Sequence, residues 1–194
     1  MHRAAKTVAL ALWLCATVVL QGAKIKTRAE SDPKFNFSEV KTWEWHADGA
    51  GDVIMARASG DDPAPVKKRV DPILVAAVAR ELGLRGLTLA PAGSPDVTIH
   101  YYLLVTAGME TQVMGQFLPA VPEWGVPPFA PATQSLNIVT RGSLVLDCVS
   151  TSLGRVVWRG VAQTDIDTEQ SDAKRDAIIR DAAHDLIKRI PLKK

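Results

Sequence analysis

Cysteine is nearly missing from this sequence: Cys15 and Cys148 are the only two in 194 residues. That excludes a disulfide framework as the source of the fold. Charge of one sign is missing too. The 23 basic residues stand against 21 acidic ones, a formal net charge of +2, so there is no basic field to hold nucleic acid. Histidine occurs four times, and no spacing matches a zinc or calcium pattern. No G-x-S-x-G, phosphate-binding loop, dinucleotide fingerprint or H-E-x-x-H is present. What remains is an apolar content of 47% over the length of one domain, enough to bury a core.

Long hydrophobic runs are also absent but for one. Val8–Leu20 is apolar except for Thr17 and follows the basic residues His2, Arg3 and Lys6. A bilayer-spanning helix needs about 20 apolar residues, so this run is short for one. Basic start, short apolar run and then small residues (Gln21-Gly22-Ala23) read as a secretory signal peptide over residues 1–22. The leader is either cleaved or kept as an anchor. Cleavage would remove Arg3 and Lys6 and leave 21 basic against 21 acidic residues, a formally neutral domain. Cys15 offers a second reading as a lipid-modified cysteine, with Leu12 three residues before it, against a small hydrophobe within the apolar run. Either way the chain reads as exported, in the periplasm or membrane-anchored facing it.

Residues 23–194 read as a single α+β domain. Strands are expected over Lys24–Glu30 and Val40–His46, the latter with Trp43 and Trp45 on one face. Residues 47–70 show no sustained period and read as an exposed connection, with Lys67-Lys68-Arg69 a solvated triplet. Asp71-Pro72 reads as N-cap and first helical residue. Ile73, Leu74, Ala77, Val78 and Leu82 then form an apolar stripe that Gly83 would end. Asp96–Val105 is a strand with His100 and Tyr102 on its second face. Arg141–Val149 and Arg155–Gln163 form a hairpin turning at Gly154. A last amphipathic helix starts at Ser171 or Asp172 and buries Ile179, Ala182, Ala183, Leu186, Ile187 and Ile190. His184 falls on its opposite, solvated arc beside Asp181 and Asp185. The order β-β-α-β-β-β-α predicts an antiparallel or mixed five-stranded sheet with two helices on one face.

These elements resemble domain-of-unknown-function family 4136, exported bacterial envelope proteins that are often lipoproteins. Three blocks carry the resemblance. Asp32-Pro33-Lys34-Phe35-Asn36-Phe37-Ser38 with Val40-Lys41-Thr42-Trp43-Glu44-Trp45 is similar to the family's opening pattern. Asp71-Pro72-Ile73, Leu82-Gly83-Leu84-Arg85-Gly86-Leu87 and Ser94-Pro95-Asp96-Val97 resemble its helix, turn and strand entry. Gly142–Asp147 with Gly154–Ala162 resembles its hairpin, which ends in a W-[RS]-G-x-A strand. The resemblance implies this fold and an envelope location, and it brings no catalytic residue.

Functional candidates are few. Residues 107–133 form a Pro-rich connection holding Phe117, Trp124 and Phe129, and a long apolar stretch of this kind either binds a partner or folds back over the sheet's open face. Cys148 shares a face with Leu144 and Leu146 and reads as a buried thiol. Trp158 reads as core, with Gly160 leaving room beside it, and Arg159 as reaching solvent or pairing with Asp147. His46, Asp48 and Asp52 are weak metal candidates in a flexible loop. We therefore expect no catalytic residue, metal or cofactor, and no nucleic-acid partner. The expected role is a non-enzymatic binding or structural module for an envelope protein or lipid. A small-ligand or lipid carrier, its ligand between the Pro-rich segment and the sheet, is the alternative.

Overall fold

The computed structural model describes residues 24–56, 62–91, 93–106, 140–167 and 169–192. Seven strands and two helices succeed one another: β1 (Lys26–Ser31), β2 (Thr42–Trp45), β3 (Gly51–Ala56), α1 (Ala64–Leu84), β4 (Thr88–Leu89), β5 (Val97–Thr106), β6 (Arg141–Ser150), β7 (Arg155–Asp165) and α2 (Asp172–Ile187). They build one mixed sheet in the order β1-β7-β6-β5-β2-β4, with β3 also paired to β5. The α+β class and the two helices on one face agree with the sequence. The strand count does not: β3 and β4 raise the expected five to seven.

Both additions have physical reasons. β3 is hard to see because its alternation is short, with Gly51, Val53 and Met55 on one face and Asp52 and Ile54 on the other. It pairs parallel with β5 from Gly51↔Tyr101 to Ala56↔Thr106. β2 pairs parallel with the start of the same strand, Trp43↔Val97 to Trp45↔Ile99. β2 and β3 thus follow one another along the same side of β5, interrupted at residues 46–50, where Gly49 takes a φ of +118°, and β4 pairs outside β2. A side chain at Gly51 would collide with the backbone and ring of Tyr101. Parallel pairing requires a crossover, and α1 supplies it.

That helix begins at Ala64, well before Asp71, and takes in the basic triplet expected to be a linker. The Asp62 carboxylate accepts a hydrogen bond from the Ala64 N–H at 2.9 Å, so Asp62-Pro63 is the starting signal. Val66 and Val70 extend the stripe of Leu74, Ala77, Val78 and Leu82 backwards. Pro72 therefore lies inside the helix. At the other end Gly83 remains helical, and Gly86 takes the positive φ of +85°.

The hairpin matches the sequence closely. β5–β6 and β6–β7 pair antiparallel, and Gly154 turns with a φ of +64°. β1 adds antiparallel to β7. The main core lies between helices and sheet and contains Trp43, Leu74, Leu146, Cys148, Trp158 and Leu186. Trp158 is 1% exposed. A Cβ at Gly160 would collide with its ring, which is why the strand carries glycine there. On the opposite, helix-free face a smaller cluster buries Leu104, Val145 and Val161.

Candidate functional site

Two places on this scaffold gather side chains with chemical potential. The first is a polar row across the helix-free face. Strand register brings His100, Asp147, Arg159 and Glu30 into one row, one from each of β5, β6, β7 and β1, and Asp52 of β3, the ladder partner of Tyr102, reaches His100 diagonally on the same face. At its centre Arg159 donates from Nε to Asp147 Oδ1 at 2.6 Å and from Nη2 to Oδ2. The two residues are 4% and 2% exposed. Pairing with Asp147 rather than reach to solvent is thus the fate of Arg159. Burial pushes the Asp147 carboxyl up, and the Arg159 guanidinium opposes that rise. His100 Nε2 stands 3.4 Å from Asp52, with the ring of Tyr102 at 4.7 Å and that of His46 at 5.4 Å.

The bidentate contact makes the centre of the row a built-in ion pair. His46 lies 3.6 Å from Asp48 while Asp52 turns to His100. Among the described residues no group of three His, Cys, Asp or Glu could hold a metal ion. Cys148 is buried on the Leu144–Leu146 face, and burial raises its thiol above the ordinary value. His184 is not merely solvated: its Nδ1 contacts Glu81 of α1 at 2.8 Å and ties the two helices together.

The second place is a cleft of about 320 Å³ between the first halves of α1 and α2 and the end of the sheet. Met55, Val66, Leu74, Leu103, Leu144 and Ile179 are among the apolar side chains that line it. Gly142 also borders it, and a Cβ there would press on Ile166. Thr140, Thr164, Gln170, Arg69 and Arg175 supply polar lining. Across the helices Arg69 Nη1 reaches Asp176 at 2.6 Å and Asp172 at 3.9 Å, and Arg175 reaches Asp172 at 2.7 Å. That last pair holds the Asp172 carboxyl below its ordinary range. Sequence reasoning passes over this cleft. Its one visible signal is the basic triplet, whose Arg69 belongs to the cleft wall. Phe117, Trp124, Phe129 and Cys15, like the leader, lie outside the described residues. No helix among the described residues is long and apolar enough to cross a membrane.

Residues 27–192 match the family described as a domain of unknown function (DUF4136). No curated protein matches. Among solved structures, the chain is similar to a PelC dodecamer from Paraburkholderia phytofirmans, at 12% identity over 88% of this chain and 100% of that one, with a TM-score of 0.41. A PDZ domain protein from Parabacteroides distasonis aligns at 16% identity over 89% of this chain and 36% of that one, with a TM-score of 0.46. Lipoprotein GNA1162 from Neisseria meningitidis aligns at 15% identity over 76% of this chain and 98% of that one, with a TM-score of 0.34.

Proposed function

The chain belongs to the DUF4136 family, and from that premise we propose an exported protein of the bacterial envelope that acts by binding and not by catalysis, with a small apolar or lipid-like ligand held in the cleft between α1, α2 and the sheet. The observation that carries this reading is the cleft itself. A cleft of about 320 Å³ walled by aliphatic side chains falls at the small end of the range for ligand sites. It lies between the helices and the sheet.

Native mass spectrometry of the protein purified from its own envelope tests the proposal. A co-purifying small molecule lost in Val66→Trp, which fills the cleft from α1, supports it. A clean apo mass in both forms counts against it.

A second reading, the binding of an envelope partner through Phe117, Trp124 and Phe129, draws on one observation. Thr106 and Arg141 are direct partners in the β5–β6 ladder, so the chain leaves and re-enters the sheet at one point. A hairpin there needs only 2–5 residues. Deleting residues 112–131 should then abolish partner capture in crosslinked envelopes and leave the melting temperature nearly unchanged. A large fall in melting temperature makes the segment part of the core instead.

A further inference from the structure

Resting on the cleft as a ligand site, we infer that its ligand is a neutral, single-chain amphiphile: one hydrocarbon tail inside and an uncharged hydrogen-bonding head against Thr140, Thr164 and Gln170. Three observations lead there. The first is the interior. Among the described residues the buried polar atoms without a partner belong to Glu30, Asp71, His100, Tyr101 and Arg155. None of these lines the cleft. An occupant needs to bring no polar group inside, and a polar group brought there would itself go unsatisfied.

The second observation is charge. Among the described residues the charged side chains of the lining are Arg69, Asp165 and Arg175, and each already faces an opposite charge. Arg69 is held by Asp176 and Asp172, Arg175 by Asp172, and Asp165 by Arg141 at 3.3 Å. A carboxylate or phosphate head would compete with Asp172 and Asp176 for the guanidiniums of Arg69 and Arg175, and a cationic head would meet those two arginines, with Asp165 already held by Arg141. A hydroxyl or amide head disturbs neither set, because threonine and glutamine side chains both donate and accept.

The third observation is size. About 320 Å³ is near the lower limit for a ligand site, which accommodates one chain and not the paired chains of a phospholipid.

The experiment is displacement of N-phenyl-1-naphthylamine from the full chain at pH 8, below the micelle concentration of each competitor. The competitors are 1-monolauroylglycerol, laurate and dodecyltrimethylammonium, which share a chain length and differ in head charge. The expected result is displacement by the monoglyceride at a concentration at least about tenfold lower than by either ion. Asp176→Asn, which removes the nearer of the two carboxylates facing Arg69, should shift the preference several-fold towards laurate. Laurate or the ammonium matching the monoglyceride in the unsubstituted protein overturns the assignment of the head and leaves the cleft standing. Probe binding that is absent, or unchanged in both Val66→Trp and Ala182→Leu variants of retained melting temperature, overturns the cleft reading as well.

Discussion

Arg159 and Asp147 show how much can rest on two residues. Both are buried in the helix-free face and joined by two hydrogen bonds. Removing one partner of such a pair leaves an uncompensated buried charge, at a cost of about 3–5 kcal/mol. Arg159→Met should therefore lower the unfolding free energy by about that much in urea titrations. Asp147→Leu combined with Arg159→Met should restore most of it, since an apolar pair of similar volume is often neutral. The loss in the single variant should shrink as pH falls, because protonation discharges the stranded Asp147. Asp96 works in the opposite sense. Its carboxylate accepts from the Lys41 and Thr42 N–H groups at 2.9 and 2.8 Å and from the Thr42 hydroxyl at 2.9 Å. These bonds, the Lys41 N–H first, hold its carboxyl below the ordinary range. Asp32 is lowered likewise, chiefly by the Lys34 N–H and then by Arg155. A lowered carboxyl contributes stability that is present above its unfolded value of about 3.9 and lost as pH falls through the folded value. Stability should accordingly drop from about pH 4 downward, and Asp96→Asn should make that drop shallower in urea titrations at stepped pH.

Among the elements, α1 is where the sequence says most and misleads most. Asp62-Pro63 and Asp71-Pro72 carry the same punctuation, and only the first opens the helix. The residues between the two prolines decide between them. Val66 and Val70 already lie on the stripe that packs into the core, so burial of that face outweighs the break at Pro72. Tertiary packing, which local propensity does not contain, overrides the local signal. Pro72 still has its cost. It denies a hydrogen bond to the Lys68 carbonyl, and an interior proline costs about 3 kcal/mol. Pro72→Ala recovers part of this and loses about 0.4–1 kcal/mol through a freer unfolded chain. The net gain in unfolding free energy should be about 1–2 kcal/mol, and an unchanged or lower value would show that the helix is adapted to its break. By contrast the β6–β7 hairpin is legible almost residue by residue. Gly154 at the turn and Gly160 beside Trp158 agree with the register that forms, and alternation holds except at the bulge opposite Cys148/Val149, which puts Val157 in the same core as Trp158. β4 is not legible, since two exposed residues, Thr88 and Leu89, have no pattern to display.

At the scale of the whole molecule the cleft is illegible for a different reason. Its walls come from β3, α1, β5, β6, β7 and α2, and each apolar wall residue is one that a closed core would equally use. An apolar stripe announces that a face is buried, not whether something is missing against it. Occupancy should therefore be detectable as a property of the entire fold. A ligand that binds only the folded chain stabilises it by about 2.7 kcal/mol when present at a hundred times its dissociation constant. For a domain of this size each kcal/mol raises the melting temperature by roughly 2–4 °C, so saturation with 1-monolauroylglycerol should raise it by about 5–11 °C. The same lipid should leave Val66→Trp unmoved, because the added ring occupies the space. A shift of equal size in that variant would place the lipid elsewhere on the surface. No shift in either would mean that the helices and sheet hold their gap without a lipid of this class.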